Sequence, residues 1–363
     1  MNPRTVLIMA GGTGGHVFPA LAAARVLRER GFEAVWLGTQ RGLEARLVPP
    51  HQIPMEWISI SGVRGKGLMA LLAAPVKLLI AIRQGVNVIR RRQPAVVLGA
   101  GGFVSGPGGI AAWLTGRPLV IHEQNAVAGM TNRILARFAS RVLEGFPNSF
   151  PRKVGAEHVG NPVRREITAL PRPEDRFAGR AGRLRLFVFG GSQGAAKLNA
   201  ALPAALALLP AADRPEVLHQ SGERNFDQTV AAYAEHGVQA DVRAFIDDMA
   251  AAYTWADLVV CRSGALTVAE IAAAGVGAVF VPFAAAVDDH QTRNAQFLVG
   301  ADAGRILPER ELTPARLAAE LSTLFAAGRT RLAAMASNAR RVAILDADVR
   351  LADACIAAAG GAR

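Results

Sequence analysis

The chain has 363 residues, carries a formal net charge of +12 and is 51% hydrophobic. This length favours two domains, and the hydrophobic content is ample for two cores. The two cysteines, Cys261 and Cys355, lie far apart and the first falls in a predicted buried strand, which disfavours a disulfide framework and favours a reducing compartment. Residues 68–82 form the most apolar window, but Pro75 and Lys77 interrupt it, so the sequence predicts no transmembrane span.

Strands and helices alternate through the first half of the chain. Strands are predicted at residues 6–10, 34–37, 96–98 and 118–121. The glycine-rich loop Gly11-Gly12-Thr13-Gly14-Gly15-His16 separates the first strand from a helix over about residues 18–30, with Pro19 in its first turn, where proline is tolerated. This alternation predicts a parallel sheet whose ligands bind beyond the carboxyl ends of the strands.

The alternation pauses in the middle of the chain and then resumes. Residues 161–164 break the pattern and residues 169–182 are rich in Pro, Arg and Gly, which predicts a domain boundary near residue 163. Strands of the second half are predicted at residues 184–189, 216–220, 242–245, 258–261 and 278–281. Helices follow from about Pro314. We therefore expect domains over residues 1–163 and 164–341, with a last helix over about 342–363 that packs back onto the first domain.

A strand and a helix around residue 264 are predicted to form an anion site. The strand at 258–261 ends in the turn Ser263-Gly264, and the helix that follows ends at Gly275. A helix N-terminus carries unpaired N–H groups and about half a positive charge, so it favours a phosphate or diphosphate. Glu270 lies one turn into the helix, where it could accept hydrogen bonds from a ribose. The alternative is that Thr267 and Glu270 form only a capping box.

Motifs of several other enzyme classes are absent or incomplete. Val17 stands where a dinucleotide-binding loop needs its third glycine, and no acidic residue ends the second strand, which disfavours nicotinamide and flavin cofactors. The sequence has no nucleotide-hydrolysing P-loop, no zinc spacing and no serine-nucleophile motif. Asp346-Ala347-Asp348 is followed by only 15 residues, too few to complete a metal site, so we interpret it as a solvated bend between helices.

Eight motifs, in order along the chain, resemble those of the MurG family of glycosyltransferases. They are Gly11-Gly12-Thr13-Gly14-Gly15-His16-Val17-Phe18-Pro19, Ile60-Ser61-Gly62-Val63-Arg64-Gly65-Lys66-Gly67, Gly101-Gly102-Phe103-Val104-Ser105-Gly106-Pro107-Gly108-Gly109, His122-Glu123-Gln124-Asn125, Gly160-Asn161-Pro162-Val163-Arg164, Gly190-Gly191-Ser192-Gln193-Gly194, Phe245-Ile246-Asp247-Asp248-Met249 and the stretch from Cys261 to Glu270. The resemblance covers nearly the whole chain. It implies the α/β fold called GT-B, with two Rossmann-like domains whose parallel sheets face a central cleft.

The resemblance also implies the reaction. Members of this family transfer N-acetylglucosamine from UDP-N-acetylglucosamine to the C4 hydroxyl of undecaprenyl-diphosphoryl-N-acetylmuramoyl-pentapeptide, which converts lipid I to lipid II in peptidoglycan biosynthesis. The chain is thus expected to be an inverting hexosyltransferase. Its first domain would face the acceptor and the membrane, and its second would bind the UDP-sugar.

Site residues follow from the resemblance position by position. The implied donor-binding residues are Thr13, Gly14, Gly15, Asn125, Arg164, Ser192, Ile246, Ala265, Leu266, Thr267, Val268, Ala269, Glu270 and Gln291. The candidates for a loop that contacts the acceptor diphosphate are Gly102, Phe103, Ser105 and Gly106. The resemblance assigns the Ile246 backbone to uracil and Glu270 to the ribose. Phe103 departs from the family, which often has tyrosine there, and residues 284–289 before Gln291 lie in a variable segment.

Elementary chemistry supports a catalytic role for His16 and Asn125. The leaving UDP gains negative charge, which a helix N-terminus, Arg164 and the Ser192 hydroxyl are suited to stabilise without a metal. The acceptor hydroxyl loses a proton, and His16 is the candidate base because the dipole of the helix that follows it favours the neutral imidazole. The alternatives are a structural histidine bonded to its loop and an asparagine that only forms a turn.

Residues 66–92 combine apolar side chains with basic ones. Apolar residues recur at helical spacing, and more than one face of the helix is apolar. On residues alone, a core-facing helix with a basic end is the simpler interpretation. With a lipid-linked acceptor implied, we expect shallow attachment to an anionic membrane surface.

The sequence therefore predicts a peripheral enzyme on the cytoplasmic face of the cell (inner) membrane. Its expected partners are UDP-N-acetylglucosamine, the lipid-linked acceptor and cell-wall synthesis proteins, with no nucleic acid, no cofactor and no metal. Two alternatives remain open. One is a UDP-N-acetylglucosamine 2-epimerase of the same architecture, which needs no acceptor, and the other is a non-catalytic basic adaptor for membranes or nucleic acid.

Overall fold

The computed structural model describes residues 4–60, 73–191, 194–284 and 289–361. The chain divides into two compact units. The N-terminal unit comprises residues up to Val163 together with the segment from Ile344 onward, and the C-terminal unit runs from Arg164 to Ala343. Each unit is built on a parallel β-sheet flanked by helices.

Seven parallel strands among the described residues form the sheet of the N-terminal unit. They are β1 (Thr5–Met9), β2 (Glu33–Gly38), β3 (Met55–Trp57), β4 (Val96–Gly99), β5 (Leu119–Glu123), β6 (Arg141–Glu144) and β7 (Glu157–His158). Their order is β3-β2-β1-β4-β5-β6-β7. β1 is an inner strand, because Val6 pairs with Ala34 of β2 on one side and with Val96 of β4 on the other. Its residues after Thr5 are buried, which explains the continuous apolar sequence.

Helices cover both faces of this sheet. From the amino end they are α1 (Gly14–Glu29), α2 (Glu44–Leu47), α3 (Ala74–Arg92), α4 (Ser105–Leu114) and α5 (Met130–Leu135). On one face Val6 and Ile8 lie in a core with α1, and on the other Leu7 and Met9 lie in a core with α3 and α4. Side chains of alternate β1 residues thus point to opposite faces of the sheet, as the geometry of a strand requires.

Six parallel strands of the described chain form the sheet of the C-terminal unit. They are β8 (Arg185–Phe189), β9 (Glu216–Gln220), β10 (Asp241–Arg243), β11 (Leu258–Cys261), β12 (Gly277–Phe280) and β13 (Gly304–Ile306). Their order is β10-β9-β8-β11-β12-β13. Val260 of β11 pairs with Val188 of β8 and with Val279 of β12. Counted from its own first strand, this sheet has the 3-2-1-4-5-6 order of the doubly wound fold.

The helices of the C-terminal unit follow the same alternation. They are α6 (Arg165–Thr168), α7 (Pro173–Phe177), α8 (Ala196–Ala207), α9 (Phe226–Glu235), α10 (Met249–Trp255), α11 (Ala265–Ala274), α12 (His290–Gly300), α13 (Pro314–Ala326) and α14 (Gly328–Val342). Val188 and Val260 lie in a core with Leu202 of α8 and Leu321 of α13. Helix α11 ends at Gly275 in the left-handed conformation, which is the cap that the sequence predicts.

The last helix, α15 (Ala347–Gly360), packs against α1 of the N-terminal unit. Leu351 and Cys355 are fully buried in that core. An ion pair joins Arg25 Nη2 to Asp348 Oδ2 at 3.0 Å, and the Asp348 side chain is only 13% exposed. The interpretation of residues 346–348 as a solvated bend is therefore wrong for Asp348, because it lies in the first turn of α15 and its carboxylate bonds Arg25 and the Val349 N–H.

Helix α3 exposes part of its apolar surface. Val76, Leu79 and Ile80 are exposed, with Leu79 at 66%, whereas Ala81 and Ile89 are buried in the core. A helix that only faced the core would bury its leucines and isoleucines. No helix in the described part of the chain is both long and apolar enough to cross a membrane.

The structure differs from the sequence prediction at the start of α1. The helix begins at Gly14 rather than at residue 18, so Pro19 is its sixth residue and lies inside it. There the missing N–H of Pro19 leaves the Gly15 carbonyl without its usual helical partner. His16 consequently lies within the first helical turn, not before it. The sequence prediction also lacks the short strands β3, β6, β7 and β13.

The order of each sheet identifies where its loops can meet a ligand. The strand order reverses between β1 and β4 in the N-terminal unit and between β8 and β11 in the C-terminal unit. In open α/β sheets, ligands bind beyond the carboxyl ends of the strands at such a reversal. The loops that follow these four strands, together with the first turns of the helices after them, contain most of the residues that the sequence predicts for the site.

Candidate active site

The glycine loop after β1 is held by a buried carboxylate. Glu44 is 1% exposed, and its Oε2 accepts the Gly12 N–H at 3.0 Å. Its Oε1 accepts the Thr39 N–H at 2.9 Å and the Thr39 hydroxyl at 2.8 Å. A Cβ at Gly11 would lie 2.7 Å from this carboxylate, so the loop requires glycine there. Glu44 thus fixes the loop, although no motif in the sequence indicates this role.

The loop leads directly into the N-terminus of α1. Thr13 is the N-cap, and its side chain makes no capping hydrogen bond. The N–H groups of Gly14 and Gly15 lie in the first turn, where a helix offers them no internal partner. This end of the helix can therefore bind an electron-rich group such as a hydroxyl or carbonyl oxygen.

The His16 side chain extends from the first turn of α1 toward the loop that follows β4. Its Nδ1 is 2.9 Å from Gln124 Oε1. Gly101 adopts φ +95°, and a Cβ there would lie 2.4 Å from His16 Nδ1. The imidazole thus packs against bare backbone, and Gln124 bonds one of its nitrogens.

The loop after β4 and the start of α4 contain the predicted acceptor residues, in two environments. Phe103 is 59% exposed, and a Cβ at Gly102 would lie 2.2 Å from the Gly11 carbonyl oxygen, so the two glycine loops touch. Ser105 is fully buried and its Oγ bonds the Gly101 carbonyl at 2.8 Å and the Met9 carbonyl at 3.1 Å. Its hydroxyl holds the loop instead of facing solvent. Gly106 follows in the first turn of α4.

Asn125 is held by its neighbour Glu123. Glu123 Oε1 accepts the backbone N–H of Asn125 at 3.0 Å and its side-chain Nδ2 at 3.2 Å. Glu123 is 3% exposed, and its Oε2 also accepts the N–H of Gly129 at 3.0 Å and Nδ2 of Asn132 at 2.9 Å. The carboxylate thus fixes the turn after β5 and the orientation of the Asn125 amide.

The predicted anion site of the C-terminal unit is the N-terminus of α11. Gly264 is the N-cap, and the helix begins at Ala265. The first helical hydrogen bond joins the Val268 N–H to the Gly264 carbonyl at 3.0 Å. The N–H groups of Ala265, Leu266 and Thr267 therefore precede that bond and have no partner in the helix, whereas Val268 and Ala269 belong to its body.

Glu270 makes contacts that a capping box does not have. Its Oε1 accepts from Arg164 Nη2 at 3.0 Å and from Nε at 3.1 Å, and its Oε2 accepts from the Tyr253 hydroxyl at 3.2 Å. The cap of α11 is Gly264 rather than Thr267, so the capping-box alternative is wrong. Burial raises the pKa of the Glu270 carboxyl, and the Arg164 charge opposes this rise.

The Ile246 backbone N–H and the Gln291 side chain already form hydrogen bonds within the protein. The Ile246 N–H donates to Gln220 Oε1 at 3.0 Å, so a uracil that used this N–H would replace Gln220. Gln291 Oε1 accepts the Phe283 N–H at 2.9 Å and the Ser263 N–H at 3.4 Å.

Two parts of the predicted site lie outside the described residues. These are Ser192 with its neighbour at 193, and residues 285–288 of the variable segment. Within the described ranges, no group of three or more His, Cys, Asp or Glu side chains could hold a metal ion. Asp346 and Asp348 each bond an arginine, Arg350 and Arg25.

Comparisons with known proteins agree with this architecture. The N-terminal domain of glycosyltransferase family 28 matches residues 6–144, and the C-terminal domain of that family matches residues 185–351. A protein of Nitrosococcus oceani named UDP-N-acetylglucosamine--N-acetylmuramyl-(pentapeptide) pyrophosphoryl-undecaprenol N-acetylglucosamine transferase is 57% identical, over 98% of this chain and 99% of its own length.

Solved structures also resemble this chain. The crystal structure of Acinetobacter baumannii MurG has a TM-score of 0.87 at 43% identity and covers 98% of this chain and 100% of its own. A putative UDP-N-acetylglucosamine 2-epimerase from Listeria monocytogenes has a TM-score of 0.65 at 14% identity, with coverage of 96% and 95%, which is a likeness of fold alone. Near-full-length identity above 50%, the two matched domains and the two doubly wound units together show that the chain is a GT-B hexosyltransferase and belongs to the MurG family of glycosyltransferases.

Proposed function

We propose that this enzyme transfers N-acetylglucosamine from UDP-N-acetylglucosamine to the C4 hydroxyl of the lipid-linked muramoyl pentapeptide, converting lipid I to lipid II. The name of the Nitrosococcus oceani relative supports these two substrates. The observation that carries the proposal is the Glu270 carboxylate, which Arg164 and Tyr253 hold one turn from the open N–H groups of α11. That spacing suits a nucleoside diphosphate, because a carboxylate binds ribose hydroxyls and a helix N-terminus binds phosphate.

The C-terminal unit is proposed to bind the donor. The N–H groups of residues 265–267 stabilise the diphosphate, and the Ile246 backbone binds the uracil. Arg164 is 43% exposed while it bonds Glu270, so its guanidinium can turn to the diphosphate when a ribose takes over the carboxylate. Ser192 and Gln291 complete the proposed donor site toward the phosphates and the sugar.

The N-terminal unit is proposed to bind the acceptor and remove its proton. The C4 hydroxyl oxygen forms the new bond to the anomeric carbon while the bond from that carbon to the UDP oxygen breaks. The hydroxyl proton passes to His16, and the electron pair of the broken bond leaves with UDP. One direct displacement inverts the anomeric carbon and gives a β-1,4 link. Thr13, Gly14, Gly15 and Asn125 orient the sugars, and Gly102, Phe103 and Gly106 form the proposed acceptor loop.

We further propose that the enzyme works at the cytoplasmic face of the inner membrane. Val76, Leu79 and Ile80 project from α3, and the exposed Trp113 of α4 packs on Phe138 in a tilted arrangement at a centroid distance of 4.9 Å. Lys77 and Arg83 are exposed on the same helix. Apolar side chains beside basic ones suit shallow binding to an anionic leaflet. Arg91 and Arg92 instead pair with Glu56, so they contribute less to that charge. Cell-wall synthesis proteins are proposed as further partners.

Release of UDP with and without a lipid-linked muramoyl acceptor tests this function. The proposal predicts release that depends on the acceptor and a disaccharide-lipid product. Epimer formation without acceptor would instead establish the 2-epimerase. If neither product forms, the non-catalytic adaptor is the remaining alternative. The Listeria monocytogenes structure shows that the fold alone does not separate the first two, so the products must be identified.

A further inference from the structure

We propose that Gln124 is a positioning residue that fixes the tautomer of His16, and that His122 and the Ala100 carbonyl fix Gln124 in turn. The inference rests on the proposed function only in what it says about turnover. All the groups involved lie in the N-terminal unit, within 3.0 Å of their partners. His122 is fully buried and Gln124 is 1% exposed, so water does not compete for these bonds.

The hydrogen bonds of His122 determine which of its ring nitrogens carries the proton. Its Nε2 is 2.9 Å from the Gly160 carbonyl oxygen. A carbonyl oxygen only accepts hydrogen bonds, so Nε2 must carry the proton. Burial lowers the pKa of His122 to about 4, which keeps the ring neutral near pH 7. Nδ1 of a neutral ring protonated at Nε2 has a lone pair and can only accept.

His122 and the Ala100 carbonyl determine the orientation of the Gln124 amide. Its Nε2 is 3.0 Å from the Ala100 carbonyl oxygen and 3.0 Å from His122 Nδ1. Both are acceptors, so an NH₂ group satisfies them and an amide oxygen would be repelled by both. The amide orientation is therefore determined by the chemistry of its neighbours. Gln124 Oε1 is left on the side of His16.

The orientation of the Gln124 amide in turn determines the tautomer of His16. Gln124 Oε1 is 2.9 Å from His16 Nδ1 and, as an amide oxygen, can only accept. Nδ1 must therefore be the protonated nitrogen, and Nε2 of the neutral ring holds the lone pair. Gly101 supports this placement because its missing side chain leaves room for the imidazole. Among the described residues, no hydrogen bond to His16 Nε2 is present, so that lone pair is available.

The chain of bonds has a direct chemical consequence. A base needs its lone pair on the nitrogen that can reach the substrate, and a histidine with the wrong tautomer cannot take the proton. His16 Nδ1 is occupied by Gln124, so Nε2 is the nitrogen that accepts the acceptor proton. Gln124 touches no substrate in this account, and it acts only through the imidazole.

Nitrogen NMR of the full chain, labelled at its seven histidines, reads the tautomer without any activity. The His16 signals are those missing from the His16→Ala spectrum. In the unaltered protein near pH 7.5 we expect Nδ1 to be protonated and Nε2 to be bare. In Gln124→Met, which keeps the length of the side chain but has no amide, we expect a large shift toward the Nε2-protonated form that free histidine favours. An Nε2-protonated His16 in the unaltered protein, or an unchanged tautomer in Gln124→Met, overturns the inference.

Kinetics supply the second readout. In Gln124→Met we expect kcat to fall by about tenfold or more with the donor KM within about twofold, because only the basic form of His16 is depleted. Equal losses in kcat and in donor KM would contradict a positioning role. If the unaltered protein shows no acceptor-dependent transfer, the proposed function fails, whereas the NMR result still decides the tautomer.

Asn132→Leu is the matched control. Asn132 is another amide of the N-terminal unit that is only 4% exposed, and its Nδ2 bonds Glu123 and the His122 backbone carbonyl but neither the His122 ring, Gln124 nor His16. We expect it to lower the thermal midpoint as Gln124→Met does, while the His16 signals stay those of the Nδ1-protonated form. A tautomer change in Asn132→Leu as well would mean that general loosening, and not Gln124, sets the tautomer, and it would overturn the inference.

Discussion

Single buried side chains organise both halves of the proposed site. Glu44 holds the glycine loop after β1 and the turn after β2, and Glu123 holds the turn after β5. Tyr253 and the partly exposed Arg164 hold Glu270. Glu44, Glu123 and Tyr253 are polar groups whose burial would be unfavourable without their partners. Glu44, Glu123 and Tyr253 would thus orient residues that meet substrate without meeting it themselves.

The two tyrosines of the chain offer a matched pair of tests. Tyr253 donates to Glu270, whereas Tyr233, also buried, lies 3.0 Å from His219 Nδ1. Tyr253→Phe should weaken donor binding by about threefold to tenfold, because a hydrogen bond to a charged group is worth about 1.5–3 kcal/mol and only part of it affects the ribose. Tyr233→Phe should leave the donor dissociation constant unchanged. Calorimetric titration with UDP measures both, and equal effects would show that Tyr253 does not position Glu270.

Substitution of Gly101 tests whether the position of the His16 imidazole depends on the bare backbone beside it. Gly101→Ala should lower kcat by about tenfold or more, because the new Cβ would lie 2.4 Å from His16 Nδ1 and displace the imidazole. Gly116→Ala is the control, since Gly116 also has a positive φ but no atom within 4 Å of its would-be Cβ. Steady-state kinetics of the two variants separate contact from backbone strain. A similar kcat in both would contradict the placement of His16.

The sequence predicts which residue types the site contains but not what holds them. The loop around His16, the helix after residue 264 and Glu270 could be found from glycine spacing and the resemblance. Gln124, Glu44 and Tyr253 could not, because each acts through a partner that is distant in sequence. Gln124 stands within the His-Glu-Gln-Asn motif, which is the one available signal, yet its contact with His16 spans 108 positions.

At the scale of elements, α3 is the feature whose interpretation depends on the structure. Sequence spacing leaves open which face is buried, because more than one face is apolar. Packing decides it, since Ala81, Val88 and Ile89 lie in the core while Val76, Leu79 and Ile80 do not. Exposed apolar side chains in a row indicate a surface that contacts something apolar.

Binding to anionic vesicles tests the α3 surface. The variant with Lys77→Glu, Leu79→Ser and Ile80→Ser should bind phosphatidylglycerol vesicles at least about tenfold more weakly, because it loses both apolar area and charge. Its activity on a short-chain soluble acceptor should be retained. Leu208→Ser is the control, since Leu208 is 60% exposed in the C-terminal unit. Vesicle sedimentation measures the effect, and unchanged binding of the triple variant would rule out this surface.

Helix α1 shows where sequence rules reach their limit. Proline favours the first helical turn, so Pro19 indicates a start near residue 18. In the structure the helix begins at Gly14, because Glu44 fixes the glycine loop in a conformation from which the helix can start directly. Tertiary contacts thus override a local preference, and His16 moves into the first turn.

At the scale of the whole molecule, the alternation of strands and helices predicts both parallel sheets. It does not predict their order, which depends on contacts between strands far apart in sequence. The inner strands β1, β4, β8 and β11 are apolar apart from the first residues of β1 and β8, Thr5 and Arg185, and are easily recognised. The strands β3, β7, β10 and β13 lie at sheet edges and have two or three residues each, so their apolar signal is weak.

Two buried histidines give the fold a definite pH response. The pKa values of His122 and His219 are lowered by burial to about 4 and about 3, below the ordinary value near 6.5. Between these values the unfolded chain binds more protons, so stability is lost as pH falls below about 6.5, by up to about 1.4 kcal/mol per pH unit for each histidine.

The thermal midpoint measured from pH 7 to pH 5 checks this response. It should fall steadily, and in His219→Phe it should fall less steeply, although that variant starts lower because Asn199 and Tyr233 lose a partner. Carboxylates titrate mainly below this window, so the slope reports the histidines. The same slope in both proteins would contradict a neutral, buried His219.

The central claim is a division of labour, in which the C-terminal unit binds the donor through Glu270 and the N-terminal unit supplies the base His16. Transfer of labelled N-acetylglucosamine from its UDP donor to the muramoyl lipid, with the donor dissociation constant measured in parallel, tests it most directly. His16→Ala should lower kcat by about a hundredfold and leave the dissociation constant within about twofold. Glu270→Gln should weaken donor binding by about tenfold, and much less for a 2′,3′-dideoxyribose analogue of the donor. Near-normal turnover in His16→Ala, or unchanged affinity in Glu270→Gln, would contradict the account.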